Sequence, residues 1–200
     1  MKIPPGPWDP VPSDQADLGI LVLDGVLLRQ AQVGTAKLGE LVGAGDVLRP
    51  WPDAPHPDRH GRQPWTALEP TRVALLDRDV TAALGHWPEL TAAVVERAVA
   101  RSRRLGLQIA VCHMRRVDRR VLLMLWMLAD RWGRVRGDGV LVPVRLTHKT
   151  LGSVVGAHRP TVTAAIKKLE VQGEMSRTDD GWLLRRERPE GLDDMYAALP

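Results

Sequence analysis

Cysteine is nearly absent from this chain: Cys112 is the only one among 200 residues. One thiol excludes an intrachain disulfide and, within a single chain, a four-cysteine zinc or iron–sulfur site. Long apolar runs are missing as well. The longest, Val121 to Ala129, spans nine residues, far short of the ~20 that cross a bilayer as a helix. Met1-Lys2-Ile3 leads straight into Pro4, Pro5 and Pro7, with no apolar stretch of the kind that opens a secretory signal. No Ser-His-Asp grouping, Walker-type loop or glycine-rich phosphate loop falls in a strand-to-helix setting. These absences predict a cytoplasmic protein that is not an enzyme, does not meet a membrane and holds no cofactor or metal.

What is present is an ordinary globular composition, 44% apolar and 26% charged, in a length that suits one large domain or two small ones. The net charge of +4 is unevenly spread. Met1 to His113 carries 12 Lys/Arg against 13 Asp/Glu, whereas Met114 to Arg188 carries 16 against 8, an excess of +8. A basic excess confined to one segment suits a domain that meets a polyanion, although a solubilising surface would produce the same count.

The pattern along the chain predicts an α+β protein. Residues 1–80 read as a β-roll: an apolar strand from Leu18 to Leu23, a hairpin turn at Asp24-Gly25, and a return strand from Val26 to Arg29. Further turns fall at Gly34, Gly39 and Gly43-Ala44-Gly45-Asp46, a loop covers Arg49 to Pro64, and Trp65 to Leu76 alternates. Residues 81–114 read as a long helix, uninterrupted by proline from Pro88 to His113. Along it Val95, Ala98, Ser102, Leu105, Ile109 and Cys112 recur at spacings of three and four, a heptad seam that predicts self-association; packing against the chain's own roll is the rival explanation. Residues 115–188 begin with a helix from Asp118, with Val121, Leu125, Leu128 and Trp132 on one face and Gly133 at its end. A small hairpin around Gly137-Asp138-Gly139, two short helices and a last hairpin around Asp180-Gly181 follow. Residues 189–200 read as a loosely ordered tail.

The two short helices carry the chemistry. Thr147 can cap the first through its hydroxyl, and Leu151, Val154 and Val155 form its buried face. Gly156 suits the tight turn and Pro160 the first turn of the second helix. Val162, Ile166 and Leu169 make the inward stripe of that helix. Arg159, Thr161, Thr163, Ala164, Lys167 and Lys168 then face outward as hydrogen-bonding, small or cationic groups, a face suited to the major groove of DNA. The last hairpin reads as a wing.

From Val117 to Arg185 the order helix, hairpin, "LTHKTLGSVVGAHRPTVTAAIKKLE", wing resembles the Crp/Fnr family of bacterial transcription regulators. In the front half "LDGVLL" and "GAGDVL" stand where that family's roll has its glycine turns, so the resemblance covers about 170 residues. It implies a cyclic-nucleotide-binding-like β-roll, a long dimerisation helix and a C-terminal winged helix-turn-helix. The implied function is that of a homodimeric regulator bound to double-stranded DNA, with RNA polymerase a candidate further partner. Arg159 matches the family's first base-reading arginine, and Thr147 and Lys167 match phosphate-contacting positions. Pro160 stands where an acidic base reader is common, and Ala164 where a later arginine would be. The expected DNA-binding set is Thr147, His148, Lys149, His158, Arg159, Thr161, Thr163, Lys167, Lys168, Arg177 and Thr178.

The same resemblance argues against a cyclic-nucleotide site. The glutamate that binds ribose in nucleotide-gated members has no counterpart, because Asp46-Val47-Leu48 runs on into Arg49-Pro50. Gly61 and Arg62 stand where an Arg-Ser pair would hold the phosphate, which leaves Arg59 or Arg62 as the only cations for that role. Other groupings are weaker. His56, Asp58 and His60 with Asp53 could be a metal site or a hydrolytic site, but the prolines here prevent a helical His face. Cys112 with His113 could sense redox state or ligate haem, though a buried small residue at a helix end is the commoner arrangement. Trp51, Trp65 and Trp87 read as core packing rather than a ligand cage. The alternative function is a small-molecule or metal-binding sensor whose helix-turn-helix mediates protein contacts.

Overall fold

A computed structural model describes residues 1–10, 18–33, 36–51, 65–185, 188–189 and 191–197, without the side chains of residues 32, 33, 36 and 37. Asp53, His56, Asp58, Arg59, His60, Gly61 and Arg62 lie outside the described residues. Met1–Val33 with Glu40–Arg104 form one unit; Gly34–Gly39 with Leu105–Pro200 form a second.

The first unit is built on short strands: β1 (Lys2–Ile3), β2 (Gly6–Trp8), β3 (Gly19–Asp24), β4 (Val26–Val33), β5 (Ala36–Gly43), β6 (Val47–Leu48), β7 (Trp65–Ala67) and β8 (Thr71–Leu76). They make two four-stranded sheets, ordered β1-β8-β3-β6 and β2-β7-β4-β5. One core draws on both: Ile20 and Val22 of β3, Leu27 of β4, Val42 of β5, Trp65 of β7 and Val73 of β8 are all buried together. Trp8 meets Trp65 edge to face with ring centroids 5.6 Å apart, and Trp51 packs against the same cluster. Trp87 does not join them; it is 60% exposed.

Asp24-Gly25 is not a hairpin turn, because β3 and β4 belong to different sheets. Asp24 instead accepts the Arg72 N–H at 3.1 Å and pairs with the Arg72 guanidinium, holding the end of β3 to β8. Gly25 has φ +85°, and a Cβ there would lie 2.6 Å from the Thr71 Cα. Only glycine both takes that backbone and passes so near a neighbouring strand. The apolar alternation on either side is the same for a hairpin and for a crossing between sheets, so the turn signal alone could not distinguish them.

Asp77 caps α1 (Arg78–His86) by accepting the Val80 N–H at 3.0 Å. α2 (Pro88–His113) follows. One face of α2 is anchored by arginines: Arg97 donates to the Gly45 carbonyl at 3.2 Å, Arg101 pairs with Glu40 at 2.6 Å, and Arg104 pairs with buried Asp46. About half a turn away Val95, Ala98, Val99, Ser102 and Ile109 are exposed.

The second unit is centred on α3 (Val117–Trp132). Val121 to Leu128 are buried without a break, so this helix is apolar all round rather than on one face. Trp132 is not part of that core: it is half-buried, with the Arg131 guanidinium 4.1 Å from its ring centroid. Then come β9 (Arg134–Arg136), β10 (Gly139–Val142), α4 (His148–Val155), α5 (Arg159–Val171), β11 (Met175–Thr178) and β12 (Gly181–Leu184), with the strands ordered β11-β12-β10-β9. The segment after Pro189, expected to be loose, carries α6 (Leu192–Ala197). Leu192 is fully buried, and Asp130 accepts hydrogen bonds from Arg188 at 2.7 Å and the Tyr196 hydroxyl at 2.9 Å. No helix among the described residues is long and apolar enough to cross a membrane.

Candidate nucleic-acid interface

Thr147 caps α4 as its sequence predicts, its hydroxyl accepting the Thr150 N–H at 3.1 Å. Leu151, Val154 and Val155 are buried beneath. Gly156 ends the helix in the left-handed region at φ +63°, its N–H returning to the Gly152 carbonyl. One guanidinium then ties three backbone groups together. Arg120 of α3 donates to the Met114 carbonyl at 2.6 Å, to Val155 at 3.3 Å and to Gly156 at 3.2 Å. The carbonyls at a helix end have no intrahelical partners, so a cation is a natural seat for them.

α5 starts at Arg159, with exposed His158 as N-cap and Pro160 in the first turn. Val162, Ala165, Ile166 and Leu169 are buried; Arg159, Thr161, Thr163, Ala164, Lys167 and Lys168 are exposed. Among the described residues Lys149, Arg159 and Lys167 have no ion pair, and Thr161 no hydrogen bond, so each can receive a ligand.

Besides the Thr147 cap, four members of the expected set are hydrogen-bonded or paired within the protein: His148, Thr163, Lys168 and Thr178. Lys168 reaches Asp118 at 2.7 Å, and Asp118 also takes a bidentate pair from Arg116 at 3.2 and 2.6 Å. The Arg116 hydrogen bond, helped by Lys168 and opposed by burial, holds the Asp118 carboxyl well below the ordinary carboxylate range. Thr163 donates to the Arg159 carbonyl at 3.0 Å and lies 2.9 Å from His148 Nδ1. Thr178 donates to the Gly181 carbonyl at 3.3 Å, closing the wing turn. Buried Trp182 is flanked by the His148 ring, with centroids 6.2 Å apart, and by the exposed Arg177 guanidinium at 5.5 Å. The sequence offered no sign of the Lys168–Asp118 contact, because its partners are 50 residues apart.

The end of the seam also differs. Cys112 lies against α4, its Sγ 3.5 Å from the Val154 carbonyl, and a Cβ on Gly156 would touch it at 3.7 Å or less. Burial pushes this thiol up, against the opposing pull of Arg120. His113 is exposed, with Nδ1 2.8 Å from the Ile109 carbonyl. No group of three or more metal-ligating side chains occurs among the described residues.

Residues 119–195 match the family described as a Crp-like helix-turn-helix domain. No curated protein matches the chain in sequence. The structure is similar to that of FixK2 from Bradyrhizobium japonicum, at 17% identity and a TM-score of 0.72 over 98% of this chain and 95% of that one. A CooA mutant from Carboxydothermus hydrogenoformans gives 16% and 0.70, over 100% of this chain and 87% of the other. TTHB099, a CRP-family transcriptional regulator from Thermus thermophilus, gives 14% and 0.67, over 98% and 95%. Residues 119–195 thus match a Crp-like helix-turn-helix domain, and the chain as a whole shares the fold of these solved structures.

Proposed function

We propose that this protein is a sequence-specific DNA-binding transcription regulator that acts as a homodimer and is not gated by a cyclic nucleotide. The observation that carries the reading is the outward face of α5. Arg159, Thr161 and Lys167 stand exposed and unengaged above a stripe of buried Val162, Ala165, Ile166 and Leu169. A helix held by its inner stripe, with hydrogen-bonding and cationic groups outward, fits the major groove. The basic excess from Met114 to Arg188 favours the same ligand, since a phosphate backbone binds by releasing its condensed cations.

The dimer rests on α2. Its face away from the arginine pairs presents Val95, 54% exposed, and Ile109, 51% exposed, with Ala98, Val99 and Ser102 between them and no charge among them. Burial against a second copy would take this row out of water. Two-fold pairing would then set the recognition helices about 34 Å apart, one turn of duplex. Independence from cyclic nucleotides is supported after β6, where exposed Arg49 follows Leu48 and, among the described residues, no carboxylate follows directly for a ribose. Asp46, in the preceding turn, is buried and holds Arg104 and the Gly43 N–H.

Selection of bound sequences from random duplex DNA with the full chain is the test. A two-fold-symmetric motif with half-sites one helical turn apart is expected. Failure to enrich any sequence would reject DNA binding, and an asymmetric single site would reject the dimer.

A further inference from the structure

The centre line of the recognition face holds little that can hydrogen-bond a base. With Val162, Ala165, Ile166 and Leu169 buried, the line diametrically opposite on the helix is Pro160, Ala164, Lys167 and Val171, all exposed. Pro160 and Ala164 have no hydrogen-bonding side-chain atom, so the N-terminal half of this line is hydrocarbon. Thr163 beside it is already engaged as a donor. A hydroxyl carries one proton, and that of Thr163 goes to the Arg159 carbonyl at 3.0 Å, which cannot donate in return. His148 Nδ1, 2.9 Å from the same oxygen, can donate to it in the tautomer protonated at Nδ1. Its proton and one lone pair are then in use, so that Thr163 has no donor left for a base and offers it one lone pair and its methyl group.

We infer that this chain reads its DNA half-site partly through thymine methyl groups, contacted by Pro160, Thr163 and Ala164 beside a guanine contacted by Arg159. Among the base edges of the major groove only thymine presents a hydrocarbon, its C5 methyl. A guanine or adenine edge in that place would turn acceptor atoms onto hydrocarbon and lose their water.

The inference deepens the proposed DNA-binding function and rests on it. Its test uses the full chain and the operator recovered by selection, with each thymine replaced in turn by deoxyuridine, which deletes only the methyl group. One or two positions per half-site, beside the guanine that depends on Arg159, should lose about three- to fivefold in affinity, the worth of one apolar carbon withdrawn from water. Thr163→Ser, which keeps the hydroxyl and removes the methyl, should bind the thymine and uracil forms more nearly alike. Thr163→Val, which keeps the methyl and removes the hydroxyl, should preserve the thymine preference. An operator with no uracil-sensitive position, or a Thr163→Ser protein with full preference retained, would overturn this inference while leaving DNA binding intact. A chain that enriches no DNA at all would instead remove the function on which it rests.

Discussion

The ammonium of Lys168 lies 2.7 Å from a carboxylate oxygen of Asp118, so a lysine on the recognition helix is tied back to the first turn of α3. Arg116 approaches the same carboxylate, which is nearly buried while both cations are about half in water. Because the cations stay hydrated, the cluster is worth less than a fully buried pair. Asp118→Asn should cost about 1–2 kcal/mol of unfolding free energy. Asp118 is depressed in the folded state, so its contribution is present above the unfolded carboxylate value of ~3.9 and is lost as pH falls below it. Denaturant titrations of both proteins should show a gap that is constant from pH 5 to 8 and narrows below about pH 4. A gap independent of pH would mean that the ionised carboxylate is not the stabilising species.

That engagement separates two adjacent lysines. Lys167 has no ion pair among the described residues, whereas Lys168 does. Lys167→Ala should weaken binding to all DNA sequences alike and lower the salt slope by ~1 per contact removed. Lys168→Ala should change stability more than the salt slope. Arg159→Ala should cost ~1–3 kcal/mol per half-site and relax preference at one base pair. Binding of the three variants to selected and random duplexes across a salt series distinguishes these outcomes. Equal loss on both duplexes for Arg159→Ala would make it another phosphate anchor.

The exposed row on α2 allows a dimer test that does not disturb the fold. Ile109 is half exposed in the single chain, so Ile109→Glu should leave far-UV circular dichroism unchanged. Two like charges facing each other at a desolvated seam cost several kcal/mol, so the variant should sediment as a monomer where the parent sediments as a dimer. A dimeric Ile109→Glu protein would place the contact elsewhere. Cys112→Ser, by contrast, should leave the oligomer unchanged, since that side chain faces α4.

Cys112 should also be a slow nucleophile. Burial raises its thiol, and the thiolate is the reacting species. Reaction with an aromatic disulfide at pH 7.5 should run well below the rate of the unfolded chain in urea. Arg120→Met removes the opposing cation and three carbonyl contacts, loosening the ends of α2 and α4. It should destabilise by about 1–2 kcal/mol, as expected when partly buried carbonyls lose a charged donor. Rapid modification of the folded parent would contradict the placement of Cys112.

Local chemistry by itself determined much of this protein. The Thr147 cap, the Gly156 turn, Pro160 in a first turn and the four-and-three spacing of Val162, Ile166 and Leu169 each act within a few residues, so a linear pattern suffices to reveal them. The surplus of cations after Met114 is likewise a property of the chain. Only the tertiary structure decided what depends on residues far apart in sequence. It sent the strands around Asp24-Gly25 to different sheets, because Thr71 lies against that turn. It seated Leu192 in the core at the start of α6. It took Lys168 to Asp118 and the Thr163 hydroxyl to His148, changing two outward groups from readers of a ligand into parts of the scaffold. Periodicity states which way a side chain points; whether a donor is still free when it gets there depends on partners that only folding brings within 3 Å.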